Sequence, residues 1–318
     1  MHATGNEEHL RELAAHAREK GFALNGAALW RGSEFVPTPD EAAFYQALGL
    51  GFIPPELREG KGEVAAASAQ QLPRLLEAQD LKGFLHCHTR YSDGSATVEE
   101  LARACQAAGY EYLGVTDHSQ AAAYAGGLSA DELARQAAEI DEVNSRLDGF
   151  RVLKGIEADI LQDGRVDYEE DVLERLDFVI ASIHSRFNLD KKEMTARMLA
   201  AMDNPYLTII GHPTGRLLLS RDPYPIDLDA VIDKAAATGV ALEINADPHR
   251  LDLDWRVLRQ ARSRGAMISI GADAHNVAGL SYVQYGVGMA RKGWLGREDV
   301  LNSRPVEGFV DFARRGRG

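Results

Sequence analysis

Leu81-Lys82-Gly83-Phe84-Leu85-His86-Cys87-His88-Thr89-Arg90-Tyr91-Ser92-Asp93-Gly94 is the stretch on which the fold of this chain turns. It reads as an apolar strand that ends in two histidines one residue apart. On an extended backbone residues i and i+2 share a face, so His86 and His88 are expected to reach one point while Cys87 turns away. Such a pair carries little weight alone. Its meaning depends on whether later strands also end in potential ligands.

They do. From Leu81 onward strands alternate with helices, the pattern of a parallel α/β architecture. Residues 112–116 are expected as a strand running into Asp117-His118, residues 151–156 into Glu157, and residues 178–183 into His184. Residues 207–211 lead to His212-Pro213, residues 240–244 to Asn245, and residues 267–271 to Asp273 and His275. Capping boxes at Thr97/Glu100 and Ser129/Glu132 start two of the intervening helices. Others are expected over 191–202, from Asp227 to Gly239, and over 255–264, with further helices over 282–292, 297–302 and 306–314. Seven strands interleaved with helices fit a (β/α) barrel or a close variant.

Residues 1–80 read differently, as a small α+β segment preceding a domain over 81–318. The spacing predicts a helix from Glu7 to Lys20, a short hairpin through Leu24 and Leu29, and a second helix from Pro39-Asp40 to Ala47. No ligand cluster or nucleophile stands out there. His2, His9 and His16 are expected as solvated helix or terminus residues.

Composition sets outer bounds. Of 318 residues 45% are hydrophobic and 26% charged, as in an ordinary globular protein. No apolar run approaches a membrane span and no signal-peptide core is visible, so no membrane partner and a cytoplasmic location are expected. Two cysteines cannot build a disulfide framework. A net charge of −13 argues against a broad nucleic-acid-binding face, although bound cations would offset carboxylates locally. The basic end Arg314-Arg315-Gly316-Arg317-Gly318 is read as a solvated terminus.

The candidate site is the set of strand-end residues, because barrel active sites form where the loops after the strands converge. The set comprises His86, His88, His118, Glu157, His184, His212, Asp273 and His275, with Asp93 added by the loop after the first strand, and it takes six of the chain's ten histidines. Nine ligands exceed the needs of one ion. With a bridging carboxylate they suit three divalent ions, and imidazole with carboxylate accepts manganese, zinc or iron. Clustered divalent ions serve hydrolysis at phosphorus: they turn a bound water into a hydroxide nucleophile and hold charge on the attacking and leaving oxygens.

The motifs HxH with a following SDG, then TDH, a strand-end Glu, SIH, GHP and GADAH resemble the polymerase and histidinol phosphatase (PHP) family, over residues 81 to about 315. The resemblance implies a distorted seven-stranded barrel holding up to three ions. Carried over, His86, His88, Glu157 and Asp273 would hold one ion, and Glu157 would bridge to a second held by His184 and His212. Asp93, His118 and His275 would hold the third. The catalytic part would fall to Glu157, Asp273 and His184. Thr4-Gly5 and the run from Leu48-Gly49-Leu50-Gly51 to Arg58-Glu59-Gly60 are similar to the thumb of bacterial family X DNA polymerases. Glu243-Ile244-Asn245-Ala246 and the run Tyr285 to Leu295 are similar to the PHP domains of the same enzymes. That likeness implies a 3′–5′ exonuclease or related processing of DNA 3′ ends. Nothing resembles the palm, so the chain is read as either a C-terminal fragment or a split protein. A separate polymerase core is then a potential partner, and polymerisation by this chain alone is not expected.

Arg216, four residues past His212, is a candidate phosphate clamp. Arg186 and Asn245 are further candidates for substrate, and Arg250 and Lys191 also lie just past strand ends. Tyr91 and Tyr124 could stack on a base, while His249 is not expected to be a ligand. Two rivals stand beside the DNA reading. One is a small-molecule phosphomonoesterase of the histidinol-phosphatase type, which suits the acidic charge. The other is a scaffold whose metals only stabilise the barrel.

Overall fold

A computed structural model of the chain describes residues 3–26 and 28–317; His2 and Gly318, both read above as solvated, lie outside them. The chain divides into two compact units, Met1–Leu75 with Arg291–Trp294, and Leu76–Ala290 with Leu295–Gly318.

In the first unit, helix α1 (Glu7–Glu19) starts at Asn6, whose side chain accepts the His9 amide at 2.9 Å. An antiparallel sheet follows, β1 (Ala23–Asn25), β2 (Ala28–Arg31) and β3 (Glu34–Val36). The third strand was not expected; Arg31-Gly32-Ser33, with Gly32 at φ 59°, is the turn signal that announces it. Helix α2 (Glu41–Ala47) is capped by Asp40, and α3 (Glu63–Ser68) completes the unit. Leu13, Phe44, Tyr45, Ile53 and Leu57 form its core. Arg58 is buried there, forked onto Glu41 at 2.7 and 3.1 Å and donating to the Ile53 carbonyl. His9 is not solvated as expected. It is buried between Glu63 at 2.7 Å and the Tyr45 hydroxyl at 3.3 Å, because the amphipathic face of α1 carries it inward.

The second unit is built on one parallel sheet of eight strands. These are β4 (Gly83–Cys87), β5 (Tyr112–Val115), β6 (Arg151–Lys154), β7 (Glu157–Asp159), β8 (Ile180–Ser182), β9 (Ile209–Ile210), β10 (Ala241–Asn245) and β11 (Ile268–Ala274). Their order is β6-β5-β4-β11-β10-β9-β8-β7, so the two edges of the sheet are consecutive pieces of chain. The third expected strand is therefore two strands. It breaks at Gly155-Ile156, leaving β6 paired to β5 and β7 paired to β8. Glycine is required at the break, since a Cβ on Gly155 would overlap the Phe178 ring and lie 2.7 Å from the Val115 carbonyl oxygen. Just past the break, Glu157 N donates to the Asp117 carbonyl and Ser119 N donates to the Glu157 carbonyl, both at 3.0 Å. The curled sheet thus has its edges drawn together at the level where the candidate ligands stand.

Helices α4 (Val98–Ala107), α5 (Ala130–Ser145), α6 (Glu170–Leu173), α7 (Lys191–Ala201), α8 (Leu228–Thr238) and α9 (Trp255–Ser263) follow the strands, and both capping boxes form. Helix α10 (Val283–Lys292) and α11 (Val306–Ala313) close the chain, while the segment expected as a helix over 297–302 is two 3-10 turns. Interior strand residues such as Leu85, Ile180 and Ile209 are fully buried, as is Phe178 just before β8.

Candidate metal centre

All nine strand-end candidates converge. Four groups of potential ligand atoms lie close enough to share an ion: His88, Asp93, His118 and His275; His86, His88 and Asp273; His86, Glu157 and His212; and His118, Glu157 and His184. These groups overlap, and their membership differs in part from the family assignment, His86 falling with His212 as well as with His88.

Glu157 is the hub. Its Oε1 lies 2.9 Å from His212 Nε2, 3.3 Å from His86 Nε2 and 3.4 Å from His184 Nε2. Its Oε2 lies 3.0 Å from His118 Nδ1 and 3.7 Å from His88 Nε2. Asp273 Oδ1 stands 3.2 Å from His88 Nε2 and 3.6 Å from His86 Nε2. Asp93 faces His275 at 3.3 Å and His118 at 3.6 Å. Burial is graded across the cluster: His86, His88, Glu157 and His212 are fully enclosed, while Asp93 and His275 open to solvent.

The backbone at three of these residues is unusual. His86, His212 and Asp273 have φ of 60°, 25° and 51°, in the left-handed region that non-glycine residues avoid. The chain kinks at His86 rather than running straight through His88, yet both rings still bear on Asp273 Oδ1. Cys87 points away as expected, with Sγ 3.5 Å from the Gly114 carbonyl oxygen.

Outer partners fix which nitrogen each histidine offers. His86 Nδ1 bonds Glu243 at 2.5 Å, His184 Nδ1 bonds Asp159 at 2.7 Å, and His275 Nδ1 bonds the Asp273 carbonyl oxygen at 2.9 Å. In each case the proton belongs on Nδ1, which leaves a lone pair on Nε2 aimed into the cluster, the arrangement that metal-ligating histidines use. His212 Nε2 and Glu157 Oε1 bond each other at 2.9 Å, but most other inward atoms lack hydrogen-bond partners. His86 Nε2, both nitrogens of His88, His118 Nδ1 and Glu157 Oε2 are buried and unpaired, although several stand near one another. Buried atoms that converge yet stay unpaired fit shared cations at the points between them.

Charge supports the same fit. Burial disfavours protonated His118, but Glu157 and Asp93 outweigh it and push its pKa up to about 10. His184 rises to about 9 against burial through Glu157 and Asp159, and His275 to about 9 through Asp93 and Asp273. His212 falls to about 4, because burial and the nearby Arg250 both oppose its charge. Burial also works against charge on Glu157 and Asp273, yet the surrounding imidazoles hold both carboxyls well below the usual range. The carboxylates draw positive charge inward, and ions can supply it in place of protons.

Three residues that position the clustered side chains escaped the sequence reading. Glu243 accepts from His86 Nδ1, from the His212 amide at 2.7 Å and from Asn245 at 3.2 Å. Gly271 makes room for it, since a Cβ there would overlap its carboxylate. Asp117 takes Thr89 N at 2.8 Å, Thr89 Oγ1 at 2.7 Å, Ser92 Oγ at 2.5 Å and Gln136 Nε2 at 2.5 Å, anchoring the loop that carries Asp93. Asp159 positions His184. The available signal was a carboxylate inside an apolar strand, as in Ala-Leu-Glu-Ile-Asn, sharing a face with the strand-end residue two places on.

The substrate candidates separate. Arg216 donates to the carbonyls of Arg250 (2.9 Å) and Leu251 and to Asp254 (2.9 Å), so its guanidinium braces a loop instead of facing the cluster. Asn245 is buried and donates to Asp273 Oδ2 at 3.1 Å, which makes it a support for a ligand. Arg186 is exposed, two residues past His184. Lys191 pairs with Asp227, and His249 with Asp247.

A sequence model of the PHP domain matches residues 85–247, and one of the DNA polymerase beta thumb matches residues 1–59. The chain belongs to the PHP family. It is 42% identical over 316 residues to the Bacillus subtilis protein named "DNA polymerase/3′-5′ exonuclease PolX", a match covering 99% of this chain and 55% of that one. The chain therefore spans about half the length of that relative. A "probable phosphatase" of Caldicellulosiruptor saccharolyticus is 30% identical over 72% of this chain and 94% of its own. The crystal structure of histidinol phosphate phosphatase from Lactococcus lactis, solved with zinc, L-histidinol and phosphate, aligns with TM-score 0.50 at 18% identity. It covers 68% of this chain and 94% of that one, and shows a shared fold. Membership of the PHP family and the cluster together support a metal-dependent phosphoesterase. Among the described residues, no helix is long and apolar enough to cross a membrane.

Proposed function

We propose that the chain hydrolyses phosphodiesters at the 3′ ends of DNA, as a 3′–5′ exonuclease with three divalent ions, manganese or zinc, at its strand ends. The observation that carries the hydrolytic reading is Glu157, one buried carboxylate whose two oxygens serve opposite sides of a histidine cluster. The DNA reading is supported by likeness to PolX across nearly the whole chain, including the segment that matches a polymerase thumb.

Divalent ions held in the cluster would supply a water of lowered pKa and positive charge for the phosphoryl oxygens. The chain's own residues do the rest. Glu157 would be shared between ions, and Asp273 and His184 would complete the set of residues that holds them. Glu243 and Asp159 keep His86 and His184 in the tautomer that offers Nε2. The exposed edge at Asp93 and His275 admits solvent and substrate, and Arg186 contacts a backbone phosphate. A polymerase core is the proposed partner.

The phosphatase names among relatives and the charge of −13 favour a second reading, hydrolysis of a small phosphomonoester. Metal-supplied hydrolysis of a 3′-labelled single strand, set beside that of histidinol phosphate, separates the two. Shortening of the strand from its 3′ end is expected. Turnover of histidinol phosphate alone would give the second reading, and turnover of neither would leave a scaffold.

A further inference from the structure

The loop after β9 carries an apolar feature that neither the core nor the cluster uses. It closes as a tight hairpin, with Leu217 N donating to the Arg221 carbonyl at 2.8 Å and Arg221 N donating to the Leu217 carbonyl at 2.7 Å. At its tip Leu219 is fully exposed with φ 63°, and Leu218 is 38% exposed. One exposed leucine means little. Here two stand together, one of them on a left-handed backbone that glycine enters far more cheaply, and neither gains from the core.

The hairpin is pinned, and it is pinned beside the metal centre. Arg221 Nε and Nη2 donate to the Gly215 carbonyl at 2.9 and 2.7 Å, and Leu218 N donates to the His249 carbonyl at 2.6 Å. Arg216, at the foot of the hairpin, binds the carbonyls of Arg250 and Leu251. The tip thus rests on the loop after β10, whose Arg250 reaches Asp273 Oδ2 at 3.2 Å. Residues 216–223 line a cavity of about 370 Å³, within the size range of small-ligand sites. Charge narrows the occupant. The Arg221 guanidinium lies 4.1 Å over the Phe187 ring, beside Arg186 in the chain, and among the described residues neither arginine pairs with a carboxylate. In a chain of net charge −13, unpaired guanidiniums next to an apolar tip suit a ligand that joins flat apolar faces to a phosphate backbone.

We propose that Leu218 and Leu219 pack against an unstacked base of a DNA strand whose 3′ end lies at the cluster, while Arg221 holds a phosphate of the same strand. This rests on the 3′-end reading above and names the element that tells a strand from a small ester. The contact tolerates any sequence, since every base has an apolar face. The rival occupant is a second copy of the chain, which would cover the leucines by self-association.

The probe is a labelled single strand closed at its 3′ end by phosphorothioate linkages that resist hydrolysis, titrated into the zinc-loaded full chain. Leu219→Gly should change stability to urea little, because glycine suits the left-handed backbone. Leu218→Ser combined with Leu219→Gly should nevertheless bind the strand about 5- to 20-fold more weakly, the range for partly covering aliphatic side chains. A strand of equal length whose 3′-terminal sugars lack bases should bind both proteins alike. In wild-type protein the Leu219 methyl resonances should shift with the first strand and stay in place with the second. Equal affinity of wild type and double variant for the base-bearing strand, or an equal loss for both strands, overturns the proposal. A wild-type dimer that the double variant turns into monomer assigns the tip to a second copy, and overturns it too. Where wild type still shortens an unprotected strand, such results leave the DNA reading standing. Loaded wild-type protein that neither binds nor shortens any strand removes that reading, and this inference with it.

Discussion

Replacing Glu243 with glutamine tests how the cluster is held, because the change keeps shape and removes only charge and one acceptor. Glu243 is 1% exposed. Its Oε1 takes the His86 Nδ1 proton, and its Oε2 takes the His212 amide at 2.7 Å and Asn245 Nδ2 at 3.2 Å. A glutamine can meet only one side. If its oxygen keeps the two donors at Oε2, its NH2 faces His86 Nδ1 and forces that proton onto Nε2, where it blocks the lone pair a metal needs. If it turns over, the NH2 meets the His212 N–H. Outer partners of ligating histidines contribute about 10- to 100-fold in metal affinity. At about 1.4 kcal/mol per tenfold, Glu243→Gln should cost about 1.4–2.8 kcal/mol of binding. Zinc titration against a chelating competitor reads this, with circular dichroism to confirm the fold. Wild-type affinity for every ion in a folded Glu243→Gln protein would refute the tautomer argument.

Removal of metal should invert the usual dependence of stability on pH. An imidazole whose folded pKa exceeds its unfolded value of about 6.5 adds stability that is complete below pH 6.5 and lost as pH rises through the folded value. His184 and His275, at about 9, and His118, at about 10, set that loss between pH 6.5 and about 10. Urea denaturation of chelator-treated protein should give a lower midpoint at pH 9.5 than at pH 6; an equal or higher midpoint would contradict it. Asp117→Asn removes an acceptor from the knot around Thr89, Ser92 and Gln136, and should lower stability by about 1–3 kcal/mol and loosen metal binding at Asp93. Denaturation and metal stoichiometry check both. Tyr124 is 73% exposed, with its ring centroid 6.4 Å from that of His118 and 6.5 Å from that of His184. Tyr124→Ala should leave stability within about 0.5 kcal/mol. If the ring stacks on a terminal base, KM for an oligonucleotide should rise about 5- to 100-fold, with hydrolysis of a base-free phosphoester unchanged.

The strand ends could be read from the sequence because apolar runs followed by His, Asp or Glu declare both the strand and the place where it stops. Cys87 could be set aside by alternation alone. The break at Gly155-Ile156 was hidden, since residues 151–156 form an unbroken strand-like run. Only the Phe178 ring, from a distant part of the chain, shows why the run must divide. Glu243 and Asp159 were hidden for a related reason: each looks like a polar interruption until its histidine is brought across from another strand. His9 was misread because amphipathic spacing places it on the inner face of α1, where Glu63 and Tyr45 wait. Arg216 and Arg250 could not be told apart, because the path of a loop and the direction of a long side chain depend on carbonyls that sequence spacing does not locate.

The central claim is that Glu157 joins the ions that perform the hydrolysis, and a paired measurement on one substitution tests it most directly. Bound metal is counted, and hydrolysis of a 3′-labelled single strand is followed with manganese supplied, in wild-type protein and in Glu157→Gln. The account predicts fewer bound ions and loss of essentially all hydrolysis in the variant. Full activity in Glu157→Gln, or full metal content in a wild-type protein that hydrolyses no phosphoester, would contradict it.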